Sequence, residues 1–316
     1  MSRISLDGAH NRMYVVDYRQ YDAKHVRSVY SNISKAIPMN KKSWNPKSLS
    51  LEQYVQPILE SLPVVSFYAK TRGWPFIIAW IHRITGVVLA LYFCVHIYTL
   101  SFLADPAVYE TKMKLFGYFI LSFLEWLLAV PVIFHALNGG RLILFEVFGS
   151  RNDESSIRWV LSLSITYVLM LGLMMIRQDQ SASLIIFWLP IFVFSISLVY
   201  LVALKIRRSD NRIAWKLHRM TGVYLLLMIP AHLLFMHLEP ALAHEAITVI
   251  NRMQHVSVKF MDLTLVIGVS YHTGYGLISI CKDYLPAGSL QNSLTFLIAL
   301  TIAVLGWIGM KLTIII

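Results

Sequence analysis

The sequence predicts an all-α integral membrane protein. It has seven transmembrane helices, arranged as two parallel three-helix repeats joined by an extra helix, with a four-helix bundle at the centre. Three observations predict this. The 316 residues are 57% hydrophobic and only 14% charged, whereas a soluble domain is roughly a quarter charged. Seven apolar stretches are each long enough to cross the ~30 Å hydrocarbon core, which takes about 20 residues. Finally, residues 79–96 (AWIHRITGVVLALYFCVH) return as residues 214–232 (AWKLHRMTGVYLLLMIPAH).

The chain starts with a polar tail of mixed charge over residues 1–73, without the short apolar core of a secretory signal. Within it, residues 50–69 suggest a short interfacial helix, with Ser50 and Gln53 spaced as a capping box and Pro57 and Pro63 breaking it. The seven spans follow at 74–104, 115–145, 157–176, 184–204, 217–238, 258–281 and 291–313. Pro75, Pro131, Pro190 and Pro230 fall in or at the edge of spans, where neighbouring helices can satisfy the freed backbone groups. The domain reading is a tail (1–73), a first repeat (74–178), a connecting span (179–210) and a second repeat (211–316).

Charge sets the expected orientation. The net charge is +11, but the basic residues lie between apolar segments, which favours membrane topology over nucleic-acid binding. With seven spans, 22 Lys and Arg fall on the side of the N-terminus and six on the other. The N-terminus is therefore expected on the cytoplasmic or matrix side, here called inner. The two cysteines, Cys94 and Cys281, lie in apolar segments, and no CxxCH motif offers covalent haem attachment.

The repeat keeps its histidines in register. His82 and His218 are 136 apart, as are His96 and His232, while His135 and His272 are 137 apart. A histidine inside a membrane span is costly without a partner and marks function by default. A neutral imidazole is a common axial ligand of haem iron. His135 and His272, on equivalent helices, are the first candidates for a bis-histidine haem. Gly139 and Gly276 follow four residues later on the same helix faces, leaving room for a flat macrocycle. The competing reading is an interhelical hydrogen bond with glycines for packing.

His96 and His232 lie fourteen residues beyond the box histidines, or ~21 Å along a helix. They form a second pair towards the outer leaflet, suited either to a second haem iron or to polar contacts within the bundle. His237, His244 and His255 are expected near the outer surface in water. His82, Arg83, His218 and Arg219 sit at the inner surface, where they suit haem propionates or lipid headgroups. Thr85, Gly86, Thr221 and Gly222 suit close helix packing. Asp283 and Tyr284 end the sixth span on the same side as Arg83. An acid, a phenol and a guanidinium there are what quinone reduction needs, because that reaction takes up two protons. A solvated helix end is the plainer account.

These residues resemble the membrane anchors of succinate dehydrogenase and fumarate reductase. HRITG at 82–86 and HALNGGRLILFE at 135–146 are similar to one anchor subunit of that family, and HTGYGLISICKDY at 272–284 resembles the other. The chain thus looks like both subunits fused through its fourth span, with the resemblance covering about residues 74–313. The family's serine falls at Ala79, and Leu142 stands near its second histidine, so Thr85 or Trp80 is expected to replace some quinone contacts.

The resemblance implies a haem b anchor, with one haem or two, that passes electrons from iron–sulfur clusters to ubiquinone or menaquinone. It implies flavoprotein and iron–sulfur partner subunits, a surround of membrane lipid and no nucleic acid. The chain would belong to an enzyme complex without carrying the succinate site. The bacterial inner membrane is the expected location, with the mitochondrial inner membrane as the alternative. The competing functions are the cytochrome b anchor of another respiratory dehydrogenase, of hydrogenase or formate dehydrogenase type, and a haem-free transporter with parallel repeats.

Overall fold

The computed structural model describes residues 3–6, 13–16, 73–114, 119–150, 153–177, 183–238 and 245–316. The expected interfacial helix at 50–69 lies outside them, as does His244. The chain divides into two compact units, Met1–Leu49 and Ser50–Ile316. The first holds a hairpin that the sequence reading leaves unassigned: Arg3–Leu6 (β1) pairs antiparallel with Met13–Val16 (β2), Arg3 opposite Val16 and Leu6 opposite Met13. Met13-Tyr14-Val15-Val16 is a run of strand-favouring residues.

The second unit is helical. Among the described residues its helices are α1 (Trp74–Ser101), α2 (Pro106–Met113), α3 (Phe119–Phe148), α4 (Asp153–Arg177), α5 (Leu184–Ile206), α6 (Ile213–Met236), α7 (Ala246–Met253), α8 (Val256–Tyr284) and α9 (Ser289–Ile315). Seven of these helices, all but α2 and α7, are long and apolar enough to cross a membrane. Local chemistry explains several boundaries. Pro75 opens α1, where its missing N–H costs nothing. Asp105 caps α2 by accepting from the Ala107 and Val108 amides. Pro131, Pro190 and Pro230 lie inside α3, α5 and α6.

Packing places four helices at the centre. α1 packs on α3, α3 on α6, α6 on α8, and α8 back on α1. α4 lies against α3, α5 against α6, and α9 against both α8 and α1. Several cores fill the seams. Ile78, Phe134, Ile157 and Val160 lock α1, α3 and α4 together. Ile143, Val147, Val202, Ile206 and Val223 join α3, α5 and α6. The Tyr167 hydroxyl on α4 donates to the Pro230 carbonyl of α6. The outward faces carry exposed apolar side chains such as Ile176, Ile186 and Trp307, as a lipid-facing surface requires.

At one end, α2 and α7 pack together over a core of Leu103, Tyr109, Met113, Ala246, Val249 and Met253. This end is called the far end below, and the opposite one, where the two HRxTG sequences lie, the box end.

Candidate functional site

The site is built where the four central helices face one another. At the box end, the His82 ring of α1 stacks on the His135 ring of α3, with centroids 4.0 Å apart and planes 9° apart. The His218 ring of α6 stacks on His272 of α8 in the same way, at 4.3 Å and 8°. The contact is reciprocal. A Cβ placed on Gly86 would come within 2.9 Å of His135, and one on Gly222 within 3.2 Å of His272. Gly139 faces His82 at 3.8 Å, and Gly276 faces His218 at 3.9 Å. The histidine of each helix thus lies over the glycine of the other, four residues along. The box glycines are therefore more than packing residues, because they are what allows the His135 and His272 rings to lie flat on α1 and α6.

Hydrogen bonds orient His135. Its Nδ1 lies 3.1 Å from the His82 carbonyl and 3.3 Å from Thr85 Oγ1. An Nδ1–H donated to that carbonyl leaves Nε2 as the open, basic nitrogen. The His135 and His272 rings lie edge to face, with centroids 6.3 Å apart and planes 89° apart. Towards the far end, His96 of α1 and His232 of α6 repeat the arrangement at 6.2 Å and 86°.

Two imidazoles bound on opposite sides of one metal, each at ~2.0 Å, have ring centres about 6 Å apart. Both pairs fit that spacing. All four rings are only half-buried despite lying inside the bundle, so open space adjoins them. His82 Nδ1 and His232 Nδ1 are buried atoms without a hydrogen-bond partner, which suits a polar or charged guest. Among the described residues, no group of three or more His, Cys, Asp or Glu is arranged to hold a bare metal ion.

The expected quinone residues also meet. Arg83 Nη2 lies 3.2 Å from Asp283 Oδ2, and its Nη1 donates to the Tyr284 hydroxyl at 3.3 Å. Trp80 packs edge-on against Tyr284, with ring centroids 5.7 Å apart. The side chains of Arg83 and Asp283 are 40% and 49% exposed, so the cluster opens to the surface. Thr85 is committed to the Ile81 and His82 carbonyls and to His135, whereas Trp80 stands at the cluster.

Three further findings were not read from the sequence. Arg141, one of the 22 basic residues assigned to the inner side, is buried within α3 and donates from Nε to Asn138 Oδ1 at 2.8 Å, Asn138 being fully buried. An arginine six residues after a candidate ligand, inside an apolar span, was the available signal. His237, expected in water, has a side chain only 10% exposed and pairs with Glu125 Oε1 at 3.2 Å. Burial alone would lower its pKa, but the Glu125 carboxylate outweighs that and raises it. The expectation failed because α3 brings a carboxylate to the end of α6, a contact between distant residues. Burial likewise pushes the Tyr109 phenol in the α2–α7 core up to about 12.

Comparison with known proteins bears on the first half. Residues 74–173 match the family model described as succinate dehydrogenase/fumarate reductase transmembrane subunit. That segment, about a third of the chain, is similar to this membrane-anchor family. A relative in Mycobacterium tuberculosis (strain ATCC 25618 / H37Rv), the succinate dehydrogenase 2 membrane subunit SdhC, is 34% identical over 77 residues. The alignment covers 24% of this chain and 57% of that protein, so the chain spans just over half the length of the curated relative it matches. No solved structure matches. The anchor family match therefore includes α1, α3 and most of α4, together with His82, Arg83, His96 and His135.

Proposed function

We propose that the chain is the membrane anchor and cytochrome b subunit of a succinate:quinone oxidoreductase, built as two parallel anchor-like repeats joined by α5. The observation that carries the reading is the pair of opposed, perpendicular imidazole couples at 6.3 and 6.2 Å. His135 and His272 would hold a haem b iron, and His96 and His232 a second. Haem b bound there supplies one-electron carriage through an otherwise insulating bilayer. His82, Arg83, His218 and Arg219 gather positive charge and donors at the box end, suited to the two carboxylates such a group carries.

The quinone head group would sit at Arg83, Asp283 and Tyr284. The Tyr284 hydroxyl is placed to donate to a quinone carbonyl, and Asp283 to exchange a proton with water at the surface. Arg83 holds both in place. The electrons would come from iron–sulfur and flavoprotein subunits docked on the basic side of the membrane, at the cytoplasmic or matrix face. The open carboxylate–phenol–guanidinium cluster and the match of residues 74–173 favour this over the anchor of another dehydrogenase.

The test is a pyridine haemochrome assay with haem-to-chain stoichiometry on the purified complex. The expected value is two, with His135→Ala removing one haem and His96→Ala the other. A value of one would strike out the far-end site, and a preparation without a Soret band would defeat the reading altogether.

A further inference from the structure

The Arg83–Asp283 pair has a counterpart. On the other side of the bundle, Arg219 Nε of α6 lies 2.6 Å from Glu146 Oε2 at the end of α3. The register is that of the repeat, since Arg219 lies 136 residues after Arg83 and Asp283 lies 137 after Glu146. The two copies differ in three respects, each traceable to the sequence.

The first concerns the indole. Trp80 precedes Arg83 by three residues, whereas Trp215 precedes Arg219 by four. One residue swings a side chain by about 100° around a helix. Trp80 therefore reaches across to Tyr284, while Trp215 lies directly under its own arginine, 5.0 Å from guanidinium carbon to ring centre. The second concerns the phenol. The position of Tyr284 is taken by Val147, which is buried in the core between α3, α5 and α6. It offers no hydrogen bond. The third concerns the acid. Glutamate is one methylene longer than aspartate and reaches the arginine at 2.6 Å instead of 3.2 Å. Arg219 is also engaged by His218 Nδ1 at 2.9 Å. The side chains are 19% and 31% exposed, against 40% and 49% in the first copy.

We infer that Arg219, Glu146 and Trp215 are a closed second copy of the Arg83–Asp283–Tyr284 site, so that the box end presents one quinone head-group site and not two. The guanidinium of the second copy has an indole beneath it and a carboxylate at contact distance. A quinone carbonyl approaching it would have to displace an ionised carboxylate held at 2.6 Å in a less exposed pair, against 3.2 Å in the first copy. The inference rests on the quinone reading of the first copy.

The experiment is photolabelling of the intact complex with an azido-ubiquinone, the adducts being mapped by mass spectrometry. Labelling should saturate at one adduct per chain, on peptides containing residues 80–83 or 283–284. Tyr284→Phe should lower its yield roughly tenfold, the worth of one good hydrogen bond, and Glu146→Gln should leave it unchanged. Two adducts per chain, or adducts on residues 143–147 or 215–219, would overturn the inference and leave the quinone reading standing. Should Glu146→Gln fail to fold, the stoichiometry of the unmodified complex decides alone. No specific adduct in a complex with full haem would remove the quinone reading, and this inference with it.

Discussion

Gly86→Ala is the most discriminating single substitution. The new methyl would stand 2.9 Å from His135 Cε1, with Nδ1 at 3.5 Å behind it. The obstacle is a flat ring already held at 3.1 Å from the His82 carbonyl and stacked at 4.0 Å on the His82 ring. Restoring ordinary contact means a retreat from 2.9 to at least 3.4 Å, about 0.5 Å. Metal–ligand distances tolerate only ~0.2 Å, so the 6.3 Å spacing to His272 cannot survive unless α1 and α3 separate. Overpacking of that kind costs about 1–3 kcal/mol, which lowers haem retention roughly five- to 150-fold at limiting haem.

The assay is haem per chain after dialysis against apomyoglobin, with thermal unfolding measured in parallel. Gly222→Ala, at 3.2 Å, should show a smaller loss, while Gly139→Ala and Gly276→Ala, at 3.8 and 3.9 Å, should be close to silent. Full retention in Gly86→Ala, or an equal loss in Gly139→Ala, would refute the reasoning.

Three other outcomes are expected. Arg83→Gln breaks an ion pair whose members are 40% and 49% exposed, so stability should change by less than ~1 kcal/mol. Quinone reduction should nevertheless fall by about a hundredfold, the range of a lost preorganised donor, and a melting curve beside a turnover assay separates the two. Asn138→Ala removes the acceptor of a buried guanidinium and should cost about 1.5–3 kcal/mol, read as a lower unfolding midpoint in denaturant.

The third concerns pH. The folded state raises the pKa of His237, so the protonated form gains stability from Glu125. That contribution is complete below the ordinary histidine value and fades as pH rises through the raised one. The stability gap between the unmodified protein and His237→Gln should therefore be widest in mild acid and narrow towards alkaline pH. A gap that widens with pH would contradict the pairing.

Much of this arrangement was legible in the sequence because apolar length and histidine register are both written along the chain. All seven spans were found, most ends within a few residues. His135 lies beside His272, as the paired repeat implied, and Arg83 meets Asp283 and Tyr284 on the side expected of them. Lateral detail was harder to read. α2 and α7 are eight-residue helices, too short for a hydropathy signal, and their stability comes from each other. His82 was expected at the inner surface, facing haem propionates or headgroups, and Gly139 on α3 leaves room for it to stack on the His135 ring. Periodicity says which face of a helix is apolar, not which helix it meets. For that reason, Glu125 beside His237 became visible only when distant segments were brought together, whereas Asn138 lies one turn from Arg141 on the same helix. The indole displaced by one residue in the second repeat was present in the sequence, but its effect depended on the position of Tyr284.

The small core between α2 and α7 makes the two ends of the bundle unlike. Leu103 lies seven residues beyond His96 on the same strand of chain, ~10 Å further along it, and with its neighbours it stoppers the far end in hydrocarbon. The opposite end terminates in charged, wet side chains open to contact. On the proposed haem reading, electrons would leave the bundle at that exposed end.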